Sequence, residues 1–134
     1  MLQDTKIDIK LKLAGLWASV MFCYIYADYF GLFMPGQLAT MNKGEIPPLG
    51  PATDGVMLFV SAMMVLPSLM IVASVALPVR VNRPVNIVMG LLYSAIISIT
   101  MWSHAFYIFY GAIEIALTLA VCYQAWTWPR RASS

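Results

Sequence analysis

Long apolar runs, separated by short polar or proline-rich interruptions, make up most of this 134-residue chain. The first twelve residues alternate instead: Asp4, Lys6, Asp8, Lys10 and Lys12 interleave with Ile7, Ile9 and Leu11, which reads as a short interfacial lead-in. An apolar run then covers 13–33, and about 20 residues at ~1.5 Å each cross a hydrocarbon core of ~30 Å. That run is too long for a secretory signal and lacks a small-residue cleavage site. Pro35-Gly36 is expected to stop it. Three further runs follow at 55–77, 84–102 and 105–128. The pattern predicts an all-α fold, a four-transmembrane-helix antiparallel bundle forming one membrane domain over 1–134.

The interruptions carry their own expectations. Residues 35–54 form the one long connection, an outer loop where Gly36, Gly44, Pro47, Pro48, Gly50 and Pro51 resist helix and favour turns. Thr53 or Asp54 can cap the second span. Pro67, near the middle of that span, removes a backbone hydrogen bond and tends to kink the helix, with Ser61, Ser68 or a neighbour available for the freed carbonyl. Pro78–Pro84 reads as a tight basic turn, with Asn82 as cap and Pro84 in the first turn of the third span. Ser103-His104 is so short that the third and fourth spans must be antiparallel neighbours. Gly90, Ser94 and Ser98 recur at every fourth residue, as do Ala112, Ala116 and Ala120, and these small stripes are expected to pack against each other.

Composition agrees with a bilayer. Hydrophobic residues are 61% and charged residues 10%, against roughly half and a quarter in soluble domains. The net charge of +2 sits at segment ends and not along one face, so nucleic acid is not an expected partner. Lys6, Lys10, Lys12, Arg80, Arg83, Arg130 and Arg131 fall on one side and only Lys43 on the other. The positive-inside rule therefore places both termini in the cytoplasm, and the expected location is a bacterial inner membrane. Trp102, Trp126 and Trp128 suit interfacial belts. Cys23 and Cys122 lie in apolar segments without ligand spacing and read as structural thiols. No metal and no cofactor are called for.

The exceptions are two acids inside spans, Asp28 and Glu114. An ionisable group in hydrocarbon is costly and normally faces the protein interior. Counting along the spans puts both in the outer half, Asp28 roughly 8 Å and Glu114 roughly 14 Å deep, so they are expected to share one pocket. Tyr24, Tyr107 and Tyr110 fall on the matching helix faces and can donate to a carboxylate. His104 and Asp54 are candidates for the rim. No Lys or Arg lies within a span. Each acid must be neutral, bonded to hydroxyls, hydrated, or matched to an incoming cation, and at least one is expected to hold its proton at neutral pH.

Three readings follow for Asp28, Glu114, Tyr24, Tyr107, Tyr110 and His104. They form a satisfied polar cluster that fixes helix register in a structural or accessory subunit. They bind or move a small cationic or lipid-like ligand, using charge and cation–π attraction. Or they serve an intramembrane enzyme acting on a lipid-like substrate, which only the paired carboxylates support. The expected partners are the lipid bilayer, such a ligand, and a second copy in a homo-oligomer.

The run Leu16–Gly36 resembles a family of small bacterial four-helix integral membrane proteins of unknown function. The Leu66–Met70 stretch, the Arg83-Pro-Val-Asn86 turn, and Glu114 with Ala125-Trp126 are similar to that family as well. The resemblance covers nearly the whole chain and implies the four-helix fold, but no activity. Small multidrug transporters also have four short helices and one acid in the first, but their acid sits earlier and their outer loop is shorter. Sterol-isomerase-like four-helix proteins keep acids in a membrane pocket with a His-plus-acid spacing that is absent here. Neither comparison assigns a role to a residue.

Overall fold

The computed structural model describes residues 1–46 and 49–129, so Pro47, Pro48, Arg130 and Arg131 lie outside the described residues. Five helices and a small hairpin follow one another: α1 (Ile9–Gly31), α2 (Gln37–Asn42), β1 (Glu45–Ile46), β2 (Gly50–Pro51), α3 (Asp54–Ala76), α4 (Val79–Thr100) and α5 (Ala105–Trp126). α1, α3, α4 and α5 are long and apolar enough to cross a membrane. The chain is an all-α four-helix bundle of membrane-protein character.

Capping chemistry explains the boundaries. The Asp8 carboxylate accepts from the Lys10 backbone N–H at 2.8 Å, so α1 starts inside the lead-in, four residues before the apolar run. It ends at Gly31, ahead of Pro35-Gly36. The Thr53 hydroxyl caps α3 by accepting from Val56 N at 3.2 Å, the expected arrangement. The loop departs from expectation: it contains the short helix α2, opened by Gly36 at φ 83°, and an antiparallel pair with Ile46 opposite Gly50. Gly50, at φ 91°, supplies the left-handed backbone this turn needs.

The basic turn is the largest correction. α4 starts at Val79, which leaves Asn82 and Pro84 inside the helix. Asn82 caps the other helix. Fully buried, its side-chain amide donates back to Ser74 O at 2.7 Å and Leu77 O at 3.0 Å, the last carbonyls of α3. Arg83 treats α5 the same way. Its guanidinium donates to Ala125 O at 3.0 Å and Trp126 O at 2.9 Å, and stands 5.5 Å from the Trp126 ring centroid. A cation at a helix C-terminus satisfies orphan carbonyls and meets the favourable end of the dipole.

α1 lies between α3 and α5, α5 also packs on α4, and the α3–α4 seam has the least contact. Trp17, early in α1, bonds Asn86, early in α4. Gly31, at the end of α1, lies against Tyr107, early in α5. α1 and α4 are therefore parallel, and α3 and α5 run against them. The start of α1 and the end of α5 share one end of the bundle, here the terminal end; the opposite one is the loop end. Leu13, Trp17, Val20, Tyr24, Met70, Tyr93, Ile97 and Val121 form the buried apolar core.

The expected pairing of small stripes holds on one side only. Gly90 faces α5 so closely that a Cβ there would sit 2.6 Å from Cys122 Sγ and 2.9 Å from Thr118 O. Ser94 and Thr118 share a hydrogen bond of 2.6 Å. The buried face of α5 is Gly111, Glu114, Thr118, Val121 and Ala125; Ala112 and Ala116 are exposed and Ala120 half-buried. A helix turns ~100° per residue, so Glu114 lies ~200° from Ala112. Burying the alanine face would have aimed Glu114 at lipid, a larger penalty than exposing methyl groups.

Candidate functional site

Polar side chains inside the bundle form two groups with opposite properties. Near the terminal end, Trp17 Nε1 donates to Asn86 Oδ1 at 2.7 Å, and the Ser74 hydroxyl donates to the same oxygen at 3.3 Å. Asn86 Nδ2 in turn donates to Asn82 O at 3.0 Å and Asn82 Oδ1 at 2.6 Å. These four side chains join α1, α3 and α4, and all are buried. Every donor is used, as a buried network requires.

At the loop end lies a cavity of about 670 Å³, within the usual range for small-molecule sites. Asp28, Glu114, Tyr24, Tyr107, Tyr110 and His104, the six residues singled out in the sequence, all line it. Asp54 does not. It sits exposed in the first turn of α3, ahead of Val60, the first α3 residue on the lining.

Glu114 is the deep acid. It is 6% exposed, and nine residues into α5 places it about 14 Å from the helix start. Its carboxyl accepts no hydrogen bond from the described residues; Thr118 donates only to its backbone carbonyl, at 3.0 Å. Asp28, one turn before the end of α1, is exposed at the cavity edge, and its carboxyl is also without a protein donor among the described residues. Tyr24 is 9% exposed, and its hydroxyl is buried with no partner among the described residues. Gly31, one turn beyond Asp28, leaves room for the Tyr107 hydroxyl, which would collide with any Cβ at that position. His104, at the start of α5, stacks on Phe106 at 5.9 Å and stands 6.0 Å from the Tyr107 ring.

Among the described residues no Lys or Arg is on the lining. Arg83 is committed to the end of α5. Among the described residues no group of three His, Cys, Asp or Glu is arranged to hold a metal. Both thiols are free and half-buried, and Cys122 donates to Ile87 O at 3.6 Å, away from the cavity. The cavity thus offers two carboxyls, an orphan hydroxyl and aromatic faces, a set suited to a positively charged guest.

Sequence reasoning missed Tyr93, which also lines the cavity. Its hydroxyl donates to Met63 O at 2.7 Å. Met63 is four residues before Pro67, so this is the carbonyl that proline leaves without a donor. The donor comes from α4; Ser68 instead bonds Met64 O at 2.8 Å. The proline implied a donor on a facing helix, but only the α3–α4 register identifies which residue supplies it. The asparagine network was also missed, although two asparagines one turn apart in an apolar helix were its signal.

No curated protein and no solved structure is similar to the chain at a meaningful level. Residues 4–134 match the family model of DUF6326, described as a family of unknown function, and the chain belongs to that family.

Proposed function

We propose that this protein binds a small, positively charged or lipid-like ligand in the loop-end cavity, with Glu114 and Asp28 as its counter-charges. Tyr24, Tyr107, Tyr110 and His104 complete the polar and aromatic lining. One observation carries the reading: two acids share a cavity and, among the described residues, accept no hydrogen bond and face no cation. A carboxyl held in a bundle at that cost marks a site for something that arrives. The terminal end carries Lys6, Lys10, Lys12, Arg80 and Arg83 against Lys43 near the loop end. That bias supports an orientation with both termini in the cytoplasm of a bacterial cell and the cavity in the outer half of the membrane.

A purely structural role for the acids has less support, because the Trp17–Asn86–Asn82–Ser74 network already fixes the register of α1, α3 and α4. The test is thermal stability of purified wild type, Asp28→Asn and Glu114→Gln, with and without panels of organic cations, alkali cations and lipids. A ligand at a hundred times its Kd stabilises by about 2.7 kcal/mol. The amide variants are expected to fold as well as wild type or better and to lose that gain. If both variants melt earlier and no compound shifts the wild type, the reading is wrong.

A further inference from the structure

The walls of the cavity are chemically segregated, and the segregation follows helix pairs. Its carboxyls, its imidazole and all but one of its phenols come from α1, α5 and the residue that opens α5: Tyr24 and Asp28 on the first, His104, Tyr107, Tyr110 and Glu114 at or on the second. The facing wall is built by α3 and α4 and, Tyr93 and Thr100 apart, is apolar, with Val60, Met63 and Met64 opposite Ile96, Ile97 and Met101. α1 and α5 are tightly packed on each other, whereas α3 and α4 have the weakest contact of the adjoining long helices.

The seam between α3 and α4 is fastened from below. At the terminal end, Asn82 and Asn86 bond Ser74 and the last carbonyls of α3. One level higher, Tyr93 bonds Met63 O. Toward the loop end from there, no hydrogen bond joins α3 to α4 among the described residues, and this is the stretch where both helices line the cavity. The apolar wall is therefore also the unfastened one.

We infer that the ligand is a cationic amphiphile, an amine or quaternary ammonium with a single unbranched apolar tail, whose head meets Glu114 and Asp28 and whose tail leaves between α3 and α4 into the lipid. This rests on the proposed cation site and names the class of compound it takes. Two buried features point to the head: the Glu114 carboxyl, and the orphan Tyr24 hydroxyl, which is nine-tenths buried on the lining. The tail route follows from the methionines. Met63, Met64 and Met101 are unbranched and polarizable, so they repack around a flexible chain at small cost. A compact inorganic cation would leave that wall without a partner, and a neutral lipid would leave the acids without one.

The experiment uses the full chain in nanodiscs of neutral phosphatidylcholine and two probes. One is tetramethylammonium, a head without a tail; the other is a dodecylamine with a diazirine part-way along its tail, at the depth of the seam. Photolysis is expected to label α3 and α4 around Val60, Met63 and Ile96, and Glu114→Gln to reduce that labelling about tenfold. Val60→Trp, which fills the seam, is expected to weaken dodecylamine binding about tenfold and tetramethylammonium binding by a clearly smaller factor. Labelling on α1 and α5, or spread evenly over the lipid-facing surface while tetramethylammonium still binds in an acid-dependent way, overturns the tail route and leaves the cation site standing. If neither probe binds in an acid-dependent way, the cation site fails and the amphiphile with it. The labelling arm needs only the wild-type chain and Glu114→Gln, so a Val60→Trp variant that misfolds does not spoil it.

Discussion

Replacing Tyr93 by Phe removes one oxygen from α4 and leaves the Met63 carbonyl of α3 with no donor. Tyr93 is 2% exposed and its bond to Met63 O is 2.7 Å, while Pro67 withholds the N–H that would otherwise serve that carbonyl. An unsatisfied buried carbonyl costs ~1–3 kcal/mol. Interhelical hydrogen bonds in membranes average ~0.6 and reach ~1.7 kcal/mol. The phenyl ring keeps its edge-on packing against Trp17, at 6.3 Å between centroids, so the loss belongs to the hydrogen bond. Tyr93→Phe is expected to cost about 1–1.5 kcal/mol. The discriminating step is the same change made in Pro67→Ala. Alanine restores an N–H one turn after Met63, the carbonyl is satisfied within α3, and Tyr93→Phe should then cost under about 0.5 kcal/mol. The coupling in this double-mutant cycle, about 1 kcal/mol, cancels whatever Pro67→Ala does alone through lost packing. Reversible unfolding in mixed detergent micelles reads all four stabilities. Equal costs in the two backgrounds would refute the assignment of Tyr93 to the carbonyl that Pro67 frees.

Other perturbations probe other parts of the bundle. Asn86→Leu removes the acceptor of Trp17 and Ser74 together, and should cost about 2–3 kcal/mol in the same unfolding assay; a loss under ~0.5 kcal/mol would mean the network is not formed. Gly90→Ala should destabilise by about 1–3 kcal/mol, because its Cβ meets both Cys122 Sγ and Thr118 O. Adding Cys122→Ala should restore only part, since the backbone oxygen remains. Arg83→Lys keeps the charge but not the fork that reaches Ala125 O and Trp126 O. The end of α5 should then exchange its amide hydrogens faster, seen by mass spectrometry, with α1 unchanged. Gly31→Ala displaces the Tyr107 phenol and is expected to weaken any acid-dependent ligand while the far asparagine network stays protected from exchange.

The fold was legible because its signal is long. Each apolar run comes close to or exceeds the ~30 Å of a hydrocarbon core, so shifting a boundary by four residues, as at Ile9, still leaves four helices of spanning length. The acid pocket was legible too, since Asp28 and Glu114 stand out against apolar neighbours and can point in few directions at acceptable cost. What escaped was chemistry that depends on rotation and register. The Pro78–Pro84 stretch reads as a turn by composition. Its true start is set by Asn82 reaching back to α3, a contact eight residues away in sequence from Ser74 but across a helix–helix corner in space. The Ala112, Ala116 and Ala120 stripe matched the small-residue rule as well as Gly90 and Ser94 did. Only the side of α5 that Glu114 must occupy decides between the faces, and two periodic patterns on one helix cannot both be buried in a bundle of this size.

The two polar groups also bear on each other. A bundle with polar side chains needs some of them to choose among nearly degenerate helix rotations, and that selection works only if the chosen arrangement satisfies them. Trp17, Ser74, Asn82 and Asn86 meet this condition completely, with short bonds reaching three helices. Glu114 and Tyr24 do not, though they are almost as well buried. Were specificity their role, the missing donors would have to come from the facing positions, and those are Met63, Met64, Ile96 and Ile97, with the Tyr93 and Thr100 hydroxyls already given to backbone carbonyls. An apolar wall opposite an unpaired acid adds nothing to register and costs stability in the empty bundle. On the proposed reading, an amphiphile that brings charge to one wall and alkyl surface to the other would supply the partners that folding leaves missing.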